Sequence, residues 1–229
     1  MRDEEKALRI VLCWHMHQPE YREPLEGRYL APWTYLHAIK DYSDMAAHLE
    51  REPGAVAVLN FSPILLDQLD DYRLQLEGFF SGRSGLRDPL LAALGDPVLP
   101  VGEDNLRSLM HACLRLQRRR MVDRFPGFQR LAEMADWVLA HPDMSHYIDT
   151  RLVGDLLVWY HLAWLGESIR ERDPRAQRLA EKGRSYDSED RRELLGLVHE
   201  VITAIPQRYR ALMERKQIEI SMNPYGHPI

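Results

Sequence analysis

The sequence places the run Leu8-Arg9-Ile10-Val11-Leu12-Cys13 directly before Trp14-His15-Met16-His17-Gln18-Pro19. An aliphatic run of this length is typical of a buried strand in a parallel sheet. Because side chains alternate along a strand, we expect His15 and His17 on the same face. Pro19 has no backbone N–H to offer a neighbouring strand, so the strand is expected to end there.

This pair of histidines predicts a ligand site. Ligands of α/β folds bind at the carboxyl ends of the strands, which is where the two imidazoles are expected to point together. A single histidine at a strand end is usually only a hydrogen-bonded polar group. Two of them on one face, beside a tryptophan and a strand-ending proline, favour a site.

Composition excludes several classes of function. The formal net charge of −5 argues against a general nucleic-acid binder. No apolar run approaches the ~20 residues of a membrane span, and the first one is too short for a secretory signal. Cys13 and Cys113 match neither a disulfide framework nor a zinc motif. We therefore expect a cytoplasmic protein with reduced thiols, no membrane partner and no nucleic-acid partner.

Strand and helix patterns alternate in the first third of the chain. Residues 33–50 have helical spacing, residues 55–61 form an apolar strand pattern, and a helix is expected after Ser62-Pro63. This order predicts a parallel sheet and an α/β fold. The spacing of apolar residues over 86–215 then predicts four or five amphipathic helices. The last is expected over 191–205, with Ser188 as its N-cap. A strand pattern returns at residues 217–222.

An ordered set of motifs resembles the N-terminal part of glycoside hydrolase family 57. His15-Met16-His17-Gln18-Pro19 matches the His-x-His-x-Pro signature of that family. Gln217-Ile218-Glu219, followed by Pro224-Tyr225-Gly226-His227-Pro228, resembles its second signature. Residues 60–65 and 157–164 also resemble family segments.

The resemblance implies the N-terminal part of a (β/α)7 barrel with a large helical insertion. Its parts would be residues 8–85 as the first βαβα units, 86–215 as the insertion and 216–229 as the third barrel strand. Three parallel strands leave an open sheet edge, so we expect a truncated chain. One departure is Lys216, which stands where the family usually has glycine and predicts a changed entry into the strand.

The resemblance also implies a retaining glycosidase or transglycosylase that acts on α-linked glucans. Such enzymes use two carboxylates about 5–5.5 Å apart. No segment here matches the family's nucleophile or acid/base signature, so the catalytic residues are unknown and the chain alone is expected to be inactive. We expect no cofactor and no metal; the oligomeric state is not predicted.

What the resemblance leaves in this chain is the substrate-binding part of a site. Imidazoles can hydrogen-bond to sugar hydroxyls, and a carboxylate can accept hydroxyl protons or tune a neighbouring carboxylate by charge. Aromatic rings can stack on sugar faces, although core packing is the simpler role for Trp33. The predicted substrate-binding residues are His15, His17, Glu219, Trp14, Trp33, Tyr225 and His227.

Two alternatives remain open at this stage. His-x-His at a strand end also binds zinc in some carbohydrate-processing barrels, with an aspartate as third ligand. Asp67, Asp70 and Asp71 fall on a predicted helix, so no third ligand is evident. The other alternative is a non-catalytic protein that only binds glycans. In each case the expected partner is an α-glucan or another oligosaccharide.

Overall fold

The computed structural model describes residues 10–100, 102–141, 143–144 and 148–225. Its sheet consists of β1 (Cys13–Met16), β2 (Ala57–Phe61) and β3 (Ile218–Met222), parallel and in that spatial order. The predicted α/β class with a parallel sheet is confirmed. The three described strands do not close into a barrel, and helices make up most of the described chain.

Helices follow or precede every strand. The first is continuous through α1 (Trp33–His37), a π-helical turn (Ala38–Tyr42) and α2 (Ser43–Arg51). α3 (Pro63–Phe80) follows β2. Between α3 and β3 the helices are α4 (Pro89–Gly95), α5 (Glu103–Cys113), α6 (Pro126–Ala140), α7 (Thr150–Trp164), α8 (Glu167–Arg172), α9 (Pro174–Lys182) and α10 (Ser188–Glu214), with a second π-helical turn at Arg118–Val122. That this helical stretch is an insertion into a barrel stays a prediction.

The two faces of the sheet differ in burial. Met16, Leu59 and Phe61 lie on a face that the hydrophobic core covers. The Tyr209 ring of α10 meets the Phe61 ring edge-on, with 5.2 Å between centroids. Side chains in register across a parallel sheet share a face, so residue 15 lies on the opposite, open side. Helices therefore cover the core face over β1 and β2, while Ile220 and Met222 of β3 on the same face remain exposed. The opposite face is accessible.

The predicted first strand is displaced along the chain. Ile10 and Val11 are 75% and 73% exposed, and β1 begins only at Cys13, which is exposed as well. The amide of Val58 donates to the Leu12 carbonyl at the start of the β1–β2 ladder. Because β2 begins at Ala57, residues 10 and 11 extend past their partner strand and remain unburied.

The ends of α10 also differ from the prediction. Its N-cap is Asp187 rather than Ser188: the Asp187 carboxylate accepts from the amides of Glu189 and Asp190, each at 2.9 Å. The Asp190 side chain in turn accepts from the Asp187 amide, which completes a capping box. The helix also continues through Pro206, beyond its predicted end. Burial of residues on the far side, Tyr209 among them, offsets the cost of about 3 kcal/mol for an interior proline.

Lys216 keeps the backbone conformation for which glycine is preferred. It has φ 60°, in the left-handed region. The Lys216 amide donates to the Met213 carbonyl, and the Gln217 amide donates to the Leu212 carbonyl. This is the Schellman ending of a helix, in which the residue after the C-cap is usually glycine. Lys216 therefore carries backbone strain where the chain enters β3, and a strand entry that differs from that of the family stays a prediction.

We expect Lys216→Gly to raise the free energy of unfolding by about 0.5–1 kcal/mol, because glycine adopts positive φ without a Cβ clash. Urea unfolding followed by circular dichroism measures the change. Lys216→Ala is the matched control: it removes the same side chain but retains the Cβ, so it should give no such gain. A loss of stability in the glycine variant would contradict a strained left-handed Lys216.

Two fully buried groups titrate in opposite directions. Burial lowers the pKa of His161 to about 4, while its Nδ1–H donates to the Leu157 carbonyl and the Tyr35 hydroxyl donates to Nε2. Burial raises the pKa of Asp88 to about 6, although the Tyr72 hydroxyl and two backbone amides donate to its carboxylate. As the pH falls below 6.5, His161 is protonated in the unfolded chain before it is protonated in the folded chain. The contribution of His161 to stability therefore decreases as the pH falls. Over the same fall in pH the contribution of Asp88 to stability increases, because its carboxylate is protonated in the folded chain before it is protonated in the unfolded chain.

The substitution Asp88→Asn removes the titration of residue 88 and leaves that of His161. In this variant the free energy of unfolding should fall by about 3 kcal/mol between pH 6.5 and pH 4, since only the His161 contribution remains. The wild-type chain should lose distinctly less over the same window. Urea unfolding at several pH values measures both. Parallel pH profiles for the two proteins would show that Asp88 does not titrate as described.

None of the helices in the described ranges combines the length and the apolar character that crossing a membrane requires.

Candidate functional site

His15 and His17 lie together on the open face. Their ring centroids are 5.6 Å apart and the ring planes differ by 10°. His15 is within β1 and His17 follows its last residue, so the period of two along the strand directs both rings to the same side. The structure thus brings together the two side chains on which the sequence prediction depends.

Asn60 connects His15 to the other two strands. The register aligns His15 with Asn60 on β2, and Asn60 with Ser221 on β3. His15 Nδ1 lies 2.6 Å from Asn60 Oδ1, and Asn60 Nδ2 donates to Ser221 Oγ at 2.7 Å. Asn60 and Asn223 also exchange a pair of amide hydrogen bonds, of 2.9 and 3.3 Å. One amide therefore ties all three strands together on the open face.

The Asn60 amide, in the orientation that the structure gives it, favours one tautomer of His15. An amide oxygen can only accept, so the Nδ1 of His15 must carry the proton and donate to Asn60 Oδ1. In this orientation the amide nitrogen donates to Ser221 and Asn223. In the neutral ring Nε2 is then the acceptor nitrogen.

Glu219 lies on the same face, one row away from this network. It pairs in register with Val58 and precedes Ser221 by two residues, so the alternation of β3 directs both to the open side. Its side chain is exposed. Two strand spacings, about 10 Å, separate β3 from β1. The exposed thiol of Cys13 lies in the same row as Glu219.

The loop after β1 is anchored by a buried glutamine. Gln68 of α3 donates to the Pro19 carbonyl at 2.9 Å and accepts from the Tyr21 amide at 3.3 Å. The Tyr21 hydroxyl donates to Gln18 Oε1, and Gln18 Nε2 donates to the hydroxyl of Tyr42 in the π-helical turn. Turns of this kind are frequent at functional sites. The chain immediately following His17 is therefore held on two sides.

Tyr225 links the end of β3 to the same loop. Its hydroxyl donates to Asp67 Oδ2 at 3.1 Å, and Arg22 binds the same oxygen from the β1 side. The Arg22 guanidinium lowers the pKa of Asp67, so the carboxylate stays ionised. The Tyr225 ring remains 54% exposed, beyond the carboxyl end of the sheet.

Two other predicted residues, Trp14 and Trp33, are not joined to this group. Trp14 pairs in register with the buried Leu59 and packs against the core, on the face opposite His15. Trp33 packs against Trp164 at 5.9 Å and lines a cavity among the helices. His227 lies outside the described residues.

In the part of the chain that the structure describes, the metal alternative has no third ligand. Within the described ranges no three His, Cys, Asp or Glu side chains are grouped so that they could hold a metal ion. Asp67, Asp70 and Asp71 lie on α3, as the sequence predicts, and His15 contacts the amide of Asn60.

The match to a known family adds to this geometry. The model described as Glycosyl hydrolase family 57 matches residues 11–229. The chain belongs to glycosyl hydrolase family 57. Neither the curated proteins nor the solved structures searched gave a match. Membership of this family suggests a glycosidase and implies carbohydrate as the class of substrate.

Sequence reasoning missed Asn60 as a site residue. It is the one polar position in the pattern Ala57-Val58-Leu59-Asn60-Phe61, which is a weak signal because a polar residue near a strand end is common. Only the register with His15 and Ser221 shows what it does.

We expect Asn60→Ala to abolish the preference of His15 for the Nδ1–H tautomer, because the acceptor that selects it is lost. Nitrogen chemical shifts of the His15 ring, measured by NMR at a pH where it is neutral, report the tautomer directly. Ser221→Ala is the control, since Asn223 still orients the Asn60 amide in that variant. An unchanged tautomer in the Asn60 variant would show that Asn60 does not position the ring.

Proposed function

We propose that this chain supplies the substrate-binding part of a retaining glycosidase or transglycosylase site for α-glucans. The observation that carries the proposal is the row of polar side chains across the open sheet face, with His15 fixed by Asn60 and Glu219 one row away. The family match supports the carbohydrate class. The α-glucan specificity follows from the resemblance of the motifs alone.

The polar groups on this face suit sugar hydroxyls. In the proposed complex a hydroxyl donates to His15 Nε2, which is the acceptor once Nδ1 is bound to Asn60. The second ring, His17, stands parallel to the first and reaches an adjacent hydroxyl. The Glu219 carboxylate accepts from one or two further hydroxyls. We place Tyr225 at the rim of this surface.

Bond cleavage with retention requires a nucleophile and an acid/base about 5–5.5 Å apart. Among the strand residues on the open face, Glu219 is the only carboxylate. The motifs that carry the resemblance do not include the family's two catalytic signatures. We therefore assign the named residues to substrate binding and leave the nucleophile and the acid/base unassigned. Trp14 is not included, because it lies on the core face.

Calorimetry with maltohexaose tests the proposal. The wild-type chain should bind, and His15→Ala and Glu219→Gln should each weaken binding by about tenfold, as expected for one hydrogen bond to a charged or oriented group. His111→Ala and Glu181→Gln are matched controls, because both residues are exposed on helices away from the sheet. The proposal fails if the chain does not bind maltohexaose, or if the controls weaken binding as much as the site variants.

The exposed thiol gives a second readout that needs no variant. Cys13 lies on the open face, whereas Cys113 is buried and its pKa is raised by burial. A thiol reagent should therefore modify Cys13 first. Saturating maltohexaose should slow this reaction severalfold by covering the face, while cellohexaose, the β-linked isomer, should protect less. Equal protection by both sugars would contradict α-specificity.

A further inference from the structure

A cavity of about 530 Å³ lies within the helical block, and no strand residue lines it. Its walls come from the loop before α1, from α4 and α5, and from Tyr160 of α7. The volume falls in the range of small-molecule sites, about 300–1,000 Å³. The cavity is thus separate from the row of His15, Asn60 and Glu219.

One face of α5 gives the cavity its polar character. Asn105, Ser108 and Ala112 recur at intervals of three and four residues, so they line one side of the helix, and Arg115 follows just past its end. The opposite side carries the buried Leu106, Met110 and Cys113. An amide, a hydroxyl and a guanidinium are therefore presented to the cavity rather than to the core. (Leu109, between the two sides, also lines it.)

The cavity lining carries two arginines and two aspartates. Arg28 and Arg115 line it, and neither forms an ion pair with a residue in the described part of the chain. The two acids of the lining already have donors. Asp88 is bound by the Tyr72 hydroxyl and by two backbone amides of α4, and Asp96 accepts from the Val98 amide.

The cavity wall is held in place before any ligand binds. Asp88 caps α4, and Arg191 of α10 donates to the carbonyls of Ala93 and Pro97 at 2.9 and 3.1 Å. The ring of Trp33 is fixed by packing against Trp164. Such a preformed pocket lowers the ordering cost of binding.

We propose that this cavity binds a phosphorylated monosaccharide. A guanidinium group binds phosphate through paired N–H donors, and Arg28 and Arg115 both line the cavity. The Trp33 ring offers an apolar face to a pyranose, and Ser108 and Tyr160 provide partners for its hydroxyls. The proposal does not rest on glucan binding at the strand face, since the two sites have no lining residue in common.

Calorimetry on the 229-residue chain tests it with glucose 6-phosphate, glucose 1-phosphate, glucose and inorganic phosphate as separate probes. At least one sugar phosphate should bind about tenfold or more tightly than both glucose and phosphate, because only it engages the arginines and the aromatic face together. No detectable binding of either sugar phosphate would overturn the proposal. So would equal binding of glucose or of phosphate alone.

Variants locate the site. Arg28→Gln and Arg115→Gln should each weaken sugar-phosphate binding about tenfold without changing the melting temperature, since both side chains are exposed. Arg119→Gln, at another exposed arginine, is the matched control. His15→Ala should leave sugar-phosphate binding unchanged, and Arg115→Gln should leave maltohexaose binding unchanged. A sugar phosphate that binds equally well to Arg28→Gln and Arg115→Gln overturns the assignment to this cavity.

Discussion

The parallel pairing of β2 with both of its neighbours is the constraint on which the rest of the site depends. This pairing sets His15, Asn60 and Ser221 side by side. A slip of one residue would turn the side chains of a strand to the opposite face, so the register determines which residues form the site. The buried contact between Phe61 and Tyr209 fixes which face of β2 meets the helices.

Buried polar side chains fix the position of the chain just before or after the strands. Gln217 lies just before β3 and donates to the Leu49 and Glu52 carbonyls at the end of α2. Gln68 does the same for the chain after β1. A buried donor without a partner costs about 1–3 kcal/mol, so each glutamine strongly favours one position of its loop. The glutamine of the second family motif thus has a structural role, while the glutamate two residues later faces the open side.

Local structure and long-range geometry respond differently to sequence changes. At Lys216 the Schellman ending of α10 survives the absence of glycine, because the two backbone hydrogen bonds and the burial of neighbouring residues outweigh a local strain of about 1 kcal/mol. Interior Pro206 is tolerated for the same reason. Local propensity therefore predicts where helices tend to end, and tertiary packing decides whether they do.

The sequence by itself determined the parallel α/β class, the helices predicted at residues 33–50 and after Pro63, and the shared face of His15 and His17. These follow from periodicity, which is a property of neighbouring residues. Only the tertiary structure decided where β1 begins, that Trp14 lies on the core side of the sheet, and that Asn60 contacts His15. Each depends on which residue of a distant strand lies opposite, and that register arises when separate segments pack together.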